Sequence, residues 1–107
     1  MSFECNFNKG FHMTFENGFQ LSVQWGTMNY CTRKSFDEFG IEQKSDHWES
    51  ATAEIAIFKK GGGMVPITEI DTVAGWLTTD EVAKVMAIVS SATSEIEIEK
   101  KVKSLNL

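Results

Sequence analysis

The chain has 107 residues, of which 42% are hydrophobic, and it carries a formal net charge of -5. This length allows one domain with a modest core, and the hydrophobic content excludes a disordered chain. No apolar run approaches the ~20 residues of a membrane span, and the acidic balance argues against direct nucleic-acid binding, which needs clustered Lys and Arg.

The first 25 residues predict a three-stranded antiparallel meander. Apolar and polar residues alternate there with a period of two, which is typical of strands that bury one face. The alternation is interrupted twice, at residues 7–11 and 15–19, and both stretches read Phe-x-x-Gly-Phe. These two stretches are therefore the predicted hairpin turns.

A three-residue loop that ends in glycine places the apolar residues of all three strands on one face. This loop pairs Cys5 with Met13 in the first hairpin and Met13 with Leu21 in the second. Its third position takes the left-handed conformation, which glycine adopts without steric cost. Gly10 and Gly18 are both predicted to occupy that position.

The segment after the third strand predicts a long loop over residues 27–50, where no regular period persists. A fourth strand follows over residues 51–58. After a glycine-rich turn, residues 64–67 predict a fifth strand. Pro66 cannot donate to a ladder, so this fifth strand is expected at an edge of the sheet.

A helix is predicted from about Thr79 to Ser91. Thr78 and Glu81 have the spacing of a capping box, and apolar residues then recur at helical spacing. Residues 94–107 are ambiguous. Alternating Ile and Glu suit a strand, whereas a second capping box and Glu–Lys pairs four residues apart favour a short helix over a strand or a tail of uncertain order.

The sequence as a whole therefore predicts a single α+β domain over residues 1–107. We expect an antiparallel β-meander of four to five strands, packed on one face by a C-terminal helix and followed by a second short helix. The start of the chain does not resemble a signal peptide, so we expect a cytoplasmic protein.

Residues 15–31 form the block F-x-N-G-x-x-x-S-V-Q-x-G-x-x-N-Y-C. In this block, and again at residues 53–57 and 71–82, the chain resembles a group of small, mainly phage-encoded proteins of unknown function. The resemblance implies an origin in a phage or prophage, and therefore a host-cell cytoplasm, rather than a chemistry. The Asn-Tyr-Cys end of the block carries no known catalytic role in the group.

Catalytic and metal sites are not indicated by the residue types. Cys31 with His47 is the only pair of nucleophile and base that can be proposed, and a loop thiol beside an exposed histidine is the more ordinary interpretation. The two cysteines and two histidines lack the short spacings of zinc ligands. We therefore expect no enzyme activity, no metal and no cofactor.

The long loop, together with Trp76 just before the predicted helix, is the best candidate for a working surface. Tyr, Trp and Arg dominate binding hot spots, and long loops often carry function on a rigid scaffold. The candidate binding residues are Asn29, Tyr30, Cys31, Arg33, Trp48 and Trp76.

These residues suggest two kinds of function. The first is a non-enzymatic accessory protein that binds and modulates a host or phage protein through its long loop. The alternative is an oligomeric module that binds or sequesters a small ligand such as a nucleotide signal, using Arg33 and the surrounding aromatic residues. The polar outer face of the sheet and the C-terminal segment are candidate homodimer contacts.

Overall fold

The computed structural model of the chain describes residues 1–7, 9–34 and 47–107. They form a five-stranded antiparallel sheet and two helices, which confirms the predicted α+β class. The strands are β1 (Ser2–Cys5), β2 (Gly10–Thr14), β3 (Gln20–Gln24), β4 (Ala53–Phe58) and β5 (Val73–Leu77), and the helices are α1 (Thr79–Ser91) and α2 (Glu95–Lys103). Each strand pairs with the next one in the sequence, so the sheet is a simple meander.

The second hairpin has the predicted register. Met13 of β2 lies opposite Leu21 of β3. The three-residue loop is closed by the backbone N–H of Phe15, which donates to the carbonyl of Phe19 at 2.9 Å. Gly18 takes a φ of 91°, the left-handed conformation predicted for the third position. The apolar residues of β2 and β3 therefore share one face.

The first hairpin has a different register from the predicted one. Cys5 pairs with Phe11 and not with Met13. The turn has the same length but begins one residue earlier, because the backbone N–H of Asn6, and not that of Phe7, donates across it, to the carbonyl of Gly10 at 2.8 Å. The shift is two residues, so the apolar side chains of β1 still lie on the same face as those of β2.

Among the described residues of the first turn, Phe7 takes the left-handed conformation, with a φ of 52°, and Gly10 does not, so the prediction for Gly10 is wrong. Gly10 is needed for a different reason, since a Cβ there would overlap the side chain of Gln24. Phe7 itself is exposed, as is Phe3 on β1. The expectation that the apolar face of the meander is buried is therefore wrong at these two phenylalanines.

The fifth strand is β5, and the prediction of a strand at residues 64–67 is wrong. That segment makes only an isolated bridge to β4. Val65 and Ile67 are nevertheless fully buried in the core. Their alternation therefore indicates burial and not pairing within a sheet.

The predicted capping box begins α1. The hydroxyl of Thr78 accepts the backbone N–H of Glu81 at 3.2 Å, and the Glu81 carboxylate accepts the N–H of Thr78 at 2.9 Å. Val85 and Val89 are buried on its inner face. The helix lies against β3, β4 and β5, and α2 packs on α1.

The C-terminal segment is a helix and not a strand, as favoured above. Ser94 caps α2 by accepting the backbone N–H of Glu97 at 3.2 Å, while Ile98 and Val102 are buried. Neither helix of the described ranges is long and apolar enough to cross a bilayer.

Candidate functional site

The turn that follows β3, over residues 26–34, is anchored to the polar face of the sheet. The side chain of Asn29 accepts the backbone N–H of Gly26 at 2.9 Å and donates to Glu54 of β4 at 3.1 Å. The second carboxylate oxygen of Glu54 accepts the backbone N–H of Tyr30 at 3.0 Å. One carboxylate on a central strand therefore holds the turn in place.

Cys31 lies inside this turn and is buried. Its thiol donates to the carbonyl of Gly26 at 3.4 Å. The next residue, Thr32, is tied to the start of β4 because its backbone N–H donates to the hydroxyl of Thr52 at 2.8 Å. Cys31 thus packs within the turn, whereas His47 is exposed.

A bulge in β5 brings this strand to the turn. The pairing between β4 and β5 shifts register after Ala74, and Trp76 takes a φ of 55°. Its backbone N–H donates to the carbonyl of Tyr30 at 2.8 Å. Gly75 is required beside it, because a Cβ there would lie 2.5 Å from the Cβ of Tyr30. The turn therefore sits directly on the outer edge of β5.

Tyr30 and Trp76 present their rings to solvent side by side. The ring centroids are 5.5 Å apart and the planes are tilted by 43°. Tyr30 is 50% exposed and Trp76 is 55% exposed. The ammonium group of Lys34 lies 4.6 Å from the centre of the Tyr30 ring. We call these three residues the Tyr30–Trp76 surface.

A second group of side chains is centred on Trp48. The guanidinium carbon of Arg33 lies 3.9 Å from the centre of its ring, and the ammonium group of Lys9 lies 5.4 Å from it. Trp48 is held by Trp25 at the end of β3, since each indole N–H donates to the backbone carbonyl of the other residue. We call Trp48, Arg33 and Lys9 the Trp48 cation cluster.

Lys9 is the unusual member of this cluster, because it is only 8% exposed. Its ammonium group donates to the carbonyl of Phe7 at 3.1 Å. The ion pairs of the described residues all involve α2, and none of them includes Lys9 or Arg33. Among the described residues no carboxylate pairs with either cation, so the cluster places two positive charges around one indole ring in a chain of net charge -5.

Two cavities border these groups. One of about 300 Å³ lies beside Lys9, and polar side chains of Asn6, Gln24 and Asn29 line it. The other, of about 360 Å³, lies beside Trp48, and its lining is mostly apolar. Only the first combines polar groups with a cation. Within the described ranges, no three His, Cys, Asp or Glu side chains come together as a metal site requires.

The structure brings five of the six candidate residues into two groups. Asn29, Tyr30 and Trp76 are joined through Glu54 and the bulge, whereas Arg33 stacks on Trp48. The sixth residue, Cys31, is buried inside the turn, where its thiol donates to the carbonyl of Gly26. Its binding role stays a prediction. The remainder of the predicted loop, at residues 35–46, lies outside the described residues.

Sequence reasoning missed three residues of this region. The sequence places Lys9 in a predicted hairpin turn and Trp25 on the apolar face of the third strand. It places Glu54 among the polar residues of the outer face. The alternation of a strand shows which face a residue occupies and not which distant loop crosses it. Within this region, only the Gly75-Trp76 pair has a local feature that the sequence shows, namely a small residue next to a large aromatic one.

Comparison with known proteins adds no relative to this description. No protein-family model, no curated protein and no solved structure matches the chain.

Proposed function

We propose that this chain is a non-enzymatic accessory protein that binds and modulates another protein through the Tyr30–Trp76 surface. The observation that carries the proposal is the pair of half-exposed aromatic rings fixed by the hydrogen bond from the Trp76 N–H to the Tyr30 carbonyl. The resemblance to phage-encoded proteins supports an origin in a phage or prophage. The partner is then a host or phage protein in the host-cell cytoplasm.

The backbone of Trp76 supports a functional role for its side chain. A φ of 55° is unfavourable for a bulky residue and costs about 1–2 kcal/mol, and such strain is concentrated at functional sites. The conformation turns the indole outward beside Tyr30, where its exposed area contributes nothing to the core. Exposed Trp and Tyr are the side chains that contribute most when a partner covers them.

Rigidity is the second argument. The hydrogen bonds of the turn to Glu54, Thr52 and Trp76 fix both rings before any partner arrives. Ordering a mobile side chain costs about 0.5–1.5 kcal/mol on binding, and a preformed surface avoids much of this cost. The Tyr30–Trp76 surface therefore has the character of a preorganised binding site.

Charge indicates the chemistry of the partner surface. Lys34 borders the Tyr30 ring, while the chain as a whole is acidic. An apolar pocket with a carboxylate at its rim would complement the aromatic rings and this cation. The net charge of -5 disfavours a nucleic-acid backbone, so the proposed partner is a protein.

Affinity purification from a bacterial lysate tests this function. The wild type is compared with the double variant Tyr30→Ala, Trp76→Ala, and with Ile70→Ala as a control, since Ile70 is 96% exposed outside this surface. We expect at least one protein to be retained by the wild type and by the control and to be lost with the double variant. Identical sets of retained proteins for all three baits would contradict the proposal.

The Trp48 cation cluster favours a second candidate function, the binding of a small anionic ligand such as a nucleotide. Lys9 and Arg33 approach the same indole ring, and a polar cavity lies beside Lys9. A ligand at a hundred times its Kd stabilises the fold by ~2.7 kcal/mol, which thermal denaturation detects readily. A nucleotide panel that leaves the wild-type Tm unchanged would exclude this candidate, and a shift that persists in Arg33→Ala would place the ligand elsewhere.

A further inference from the structure

The two edge strands of the sheet differ in how much of their outer edge is covered. At the β5 edge, a bulge and the turn at residues 26–34 cover the strand, and the outward N–H of Trp76 is already satisfied by Tyr30. At the β1 edge, all four strand residues are exposed and pair with β2 without a bulge. The strand also contains no Pro or Lys, which are common devices against edge-to-edge association.

Two large apolar side chains are exposed at the β1 edge. Phe3 is 82% exposed and Phe7, just after the strand, is 87% exposed. Phe3 lies on the apolar face, in a row that continues through Met13 of β2 to Leu21 of β3. Helix α1 lies against β3, β4 and β5, so this end of the apolar face extends beyond it.

The backbone of Phe3 also faces outward. In an antiparallel pair, alternate residues direct their N–H and C=O groups to the neighbouring strand. Because the N–H of Asn6 donates to Gly10, the residues that face β2 are Ser2, Glu4 and Asn6. Phe3 therefore presents its own N–H and C=O to the open edge.

We propose that a second copy of this chain occupies this edge, with β1 pairing antiparallel to β1 across a two-fold axis at Phe3. The two Phe3 residues then exchange two backbone hydrogen bonds, and the apolar rows of both sheets join into one. The resulting sheet has ten strands. This edge is distinct from the Tyr30–Trp76 surface and from the homodimer contacts considered in the sequence analysis.

Charge and backbone conformation select this register. With Phe3 on the axis, Glu4 of each copy lies opposite Ser2 of the other. A shift that centres Glu4 would place two carboxylates opposite one another, which is destabilising. A further shift would require Phe7 to pair as a strand residue, and its φ of 52° ends the strand before that position. Of these three registers, only the Phe3-centred one avoids both penalties.

The size of the contact fits a second copy in reversible equilibrium. Each aromatic side chain can bury about 150–250 Å², so the two Phe3 rings together bury roughly 300–500 Å², well below the ~1,000 Å² of a specific interface. We therefore expect a Kd on the order of 10–100 μM. A closed two-fold pair also satisfies both edges at once, whereas a strand from another protein would leave its own outer edge open.

Sedimentation equilibrium tests the pairing. The wild type should change from monomer to dimer between about 1 μM and 1 mM. Phe3→Lys should remain a monomer over this range, with an unchanged circular dichroism spectrum because Phe3 is exposed. Ile70→Lys, which adds the same charge at another exposed apolar residue, should dimerise as the wild type does. A monomeric wild type at 1 mM, or equal dimerisation of Phe3→Lys, would overturn the proposal.

Disulfide trapping tests the register in a Cys5→Ser background. The residues of a non-hydrogen-bonded pair have Cα atoms about 4.5 Å apart, within the range that a disulfide spans. A mixture of the Ser2→Cys and Glu4→Cys variants should therefore cross-link, and neither variant should cross-link alone. Cross-linking of Glu4→Cys with itself, or none in the mixture, would contradict a two-fold axis at Phe3.

Discussion

Trp25 and Trp48 each donate the indole N–H to the backbone carbonyl of the other, at 3.1 Å and 3.0 Å. The exchange satisfies the polar end of both half-buried side chains. It also ties residue 48 to the end of β3. The Trp48 cation cluster is therefore built on the rigid sheet, and its geometry does not depend on the loop alone.

The first prediction concerns this exchange. Trp48→Phe keeps an aromatic ring but removes one indole donor and leaves the Trp25 carbonyl without it, so we expect a loss of about 1–2 kcal/mol in the free energy of unfolding. Trp76→Phe is the matched control, because that indole is half exposed, and it should change stability by no more than about 0.5 kcal/mol. Urea denaturation measures both variants, and equal losses would count against a structural role for the exchange.

Asn17 is predicted to stabilise the end of α1. Its side-chain amide, in the second hairpin turn, donates to the carbonyls of Val89 and Ala92 at 2.8 Å and 3.0 Å. Asn17→Ala should therefore lower the free energy of unfolding by about 1–3 kcal/mol. Glu16→Ala, in the same turn and exposed, should stay within about 0.5 kcal/mol of the wild type. Similar urea midpoints for the two variants would show that the hydrogen bonds from Asn17 to the end of α1 contribute nothing to stability.

Gly75 is predicted to be intolerant of a side chain. A Cβ there would lie 2.5 Å from the Cβ of Tyr30 and 2.8 Å from its carbonyl oxygen. Gly75→Ala should therefore push the turn off β5 and cost about 1–3 kcal/mol, the usual penalty of overpacking. The near-ultraviolet circular dichroism of the Tyr30–Trp76 pair should change with it. An unchanged spectrum and an unchanged stability would mean that the close approach is not needed.

The pH dependence of stability should report on Glu97. The side-chain hydrogen bond from Lys101, followed by the backbone N–H and hydroxyl of Thr93, lowers the pKa of Glu97 from 4.5 to about 2. Because the folded pKa is depressed, the carboxylate stabilises the fold above pH 4.5, and this contribution is lost as the pH falls towards 2.

The Glu97→Gln variant tests this dependence. It should have a lower Tm than the wild type at pH 6, and the difference should shrink between pH 4.5 and pH 2. Glu69→Gln, an exposed residue before β5, should keep the wild-type pH profile. A constant difference in Tm across this range would argue against the lowered pKa.

The part of the fold that the sequence predicts correctly depends on local chemistry. Gly18 at the third loop position sets the β2–β3 register, and Thr78 with Glu81 marks the start of α1. In the first hairpin the same glycine pattern misleads, because Gly10 is needed for its closeness to Gln24 and Phe7 takes the left-handed conformation. Identical patterns in a sequence can therefore have different structural causes.

The candidate site was less predictable, because its contacts join residues far apart in the chain. The bulge at Gly75 and Trp76 breaks the period of two, so β5 does not show the pattern of a strand. The sequence nevertheless indicates the long loop as a binding region, and two of its aromatic residues do contact distant partners. Sequence periodicity located the loop but did not show what it contacts.

The affinity of a protein retained by the wild type tests the central proposal most directly. Once that protein is purified, isothermal titration calorimetry should give a Kd for Trp76→Ala at least ~30-fold weaker than for the wild type, since a hot-spot side chain contributes about 2 kcal/mol or more. Ile70→Ala should bind within about threefold of the wild type. A Trp76→Ala variant that folds normally and binds as tightly as the wild type would contradict a binding role for the Tyr30–Trp76 surface.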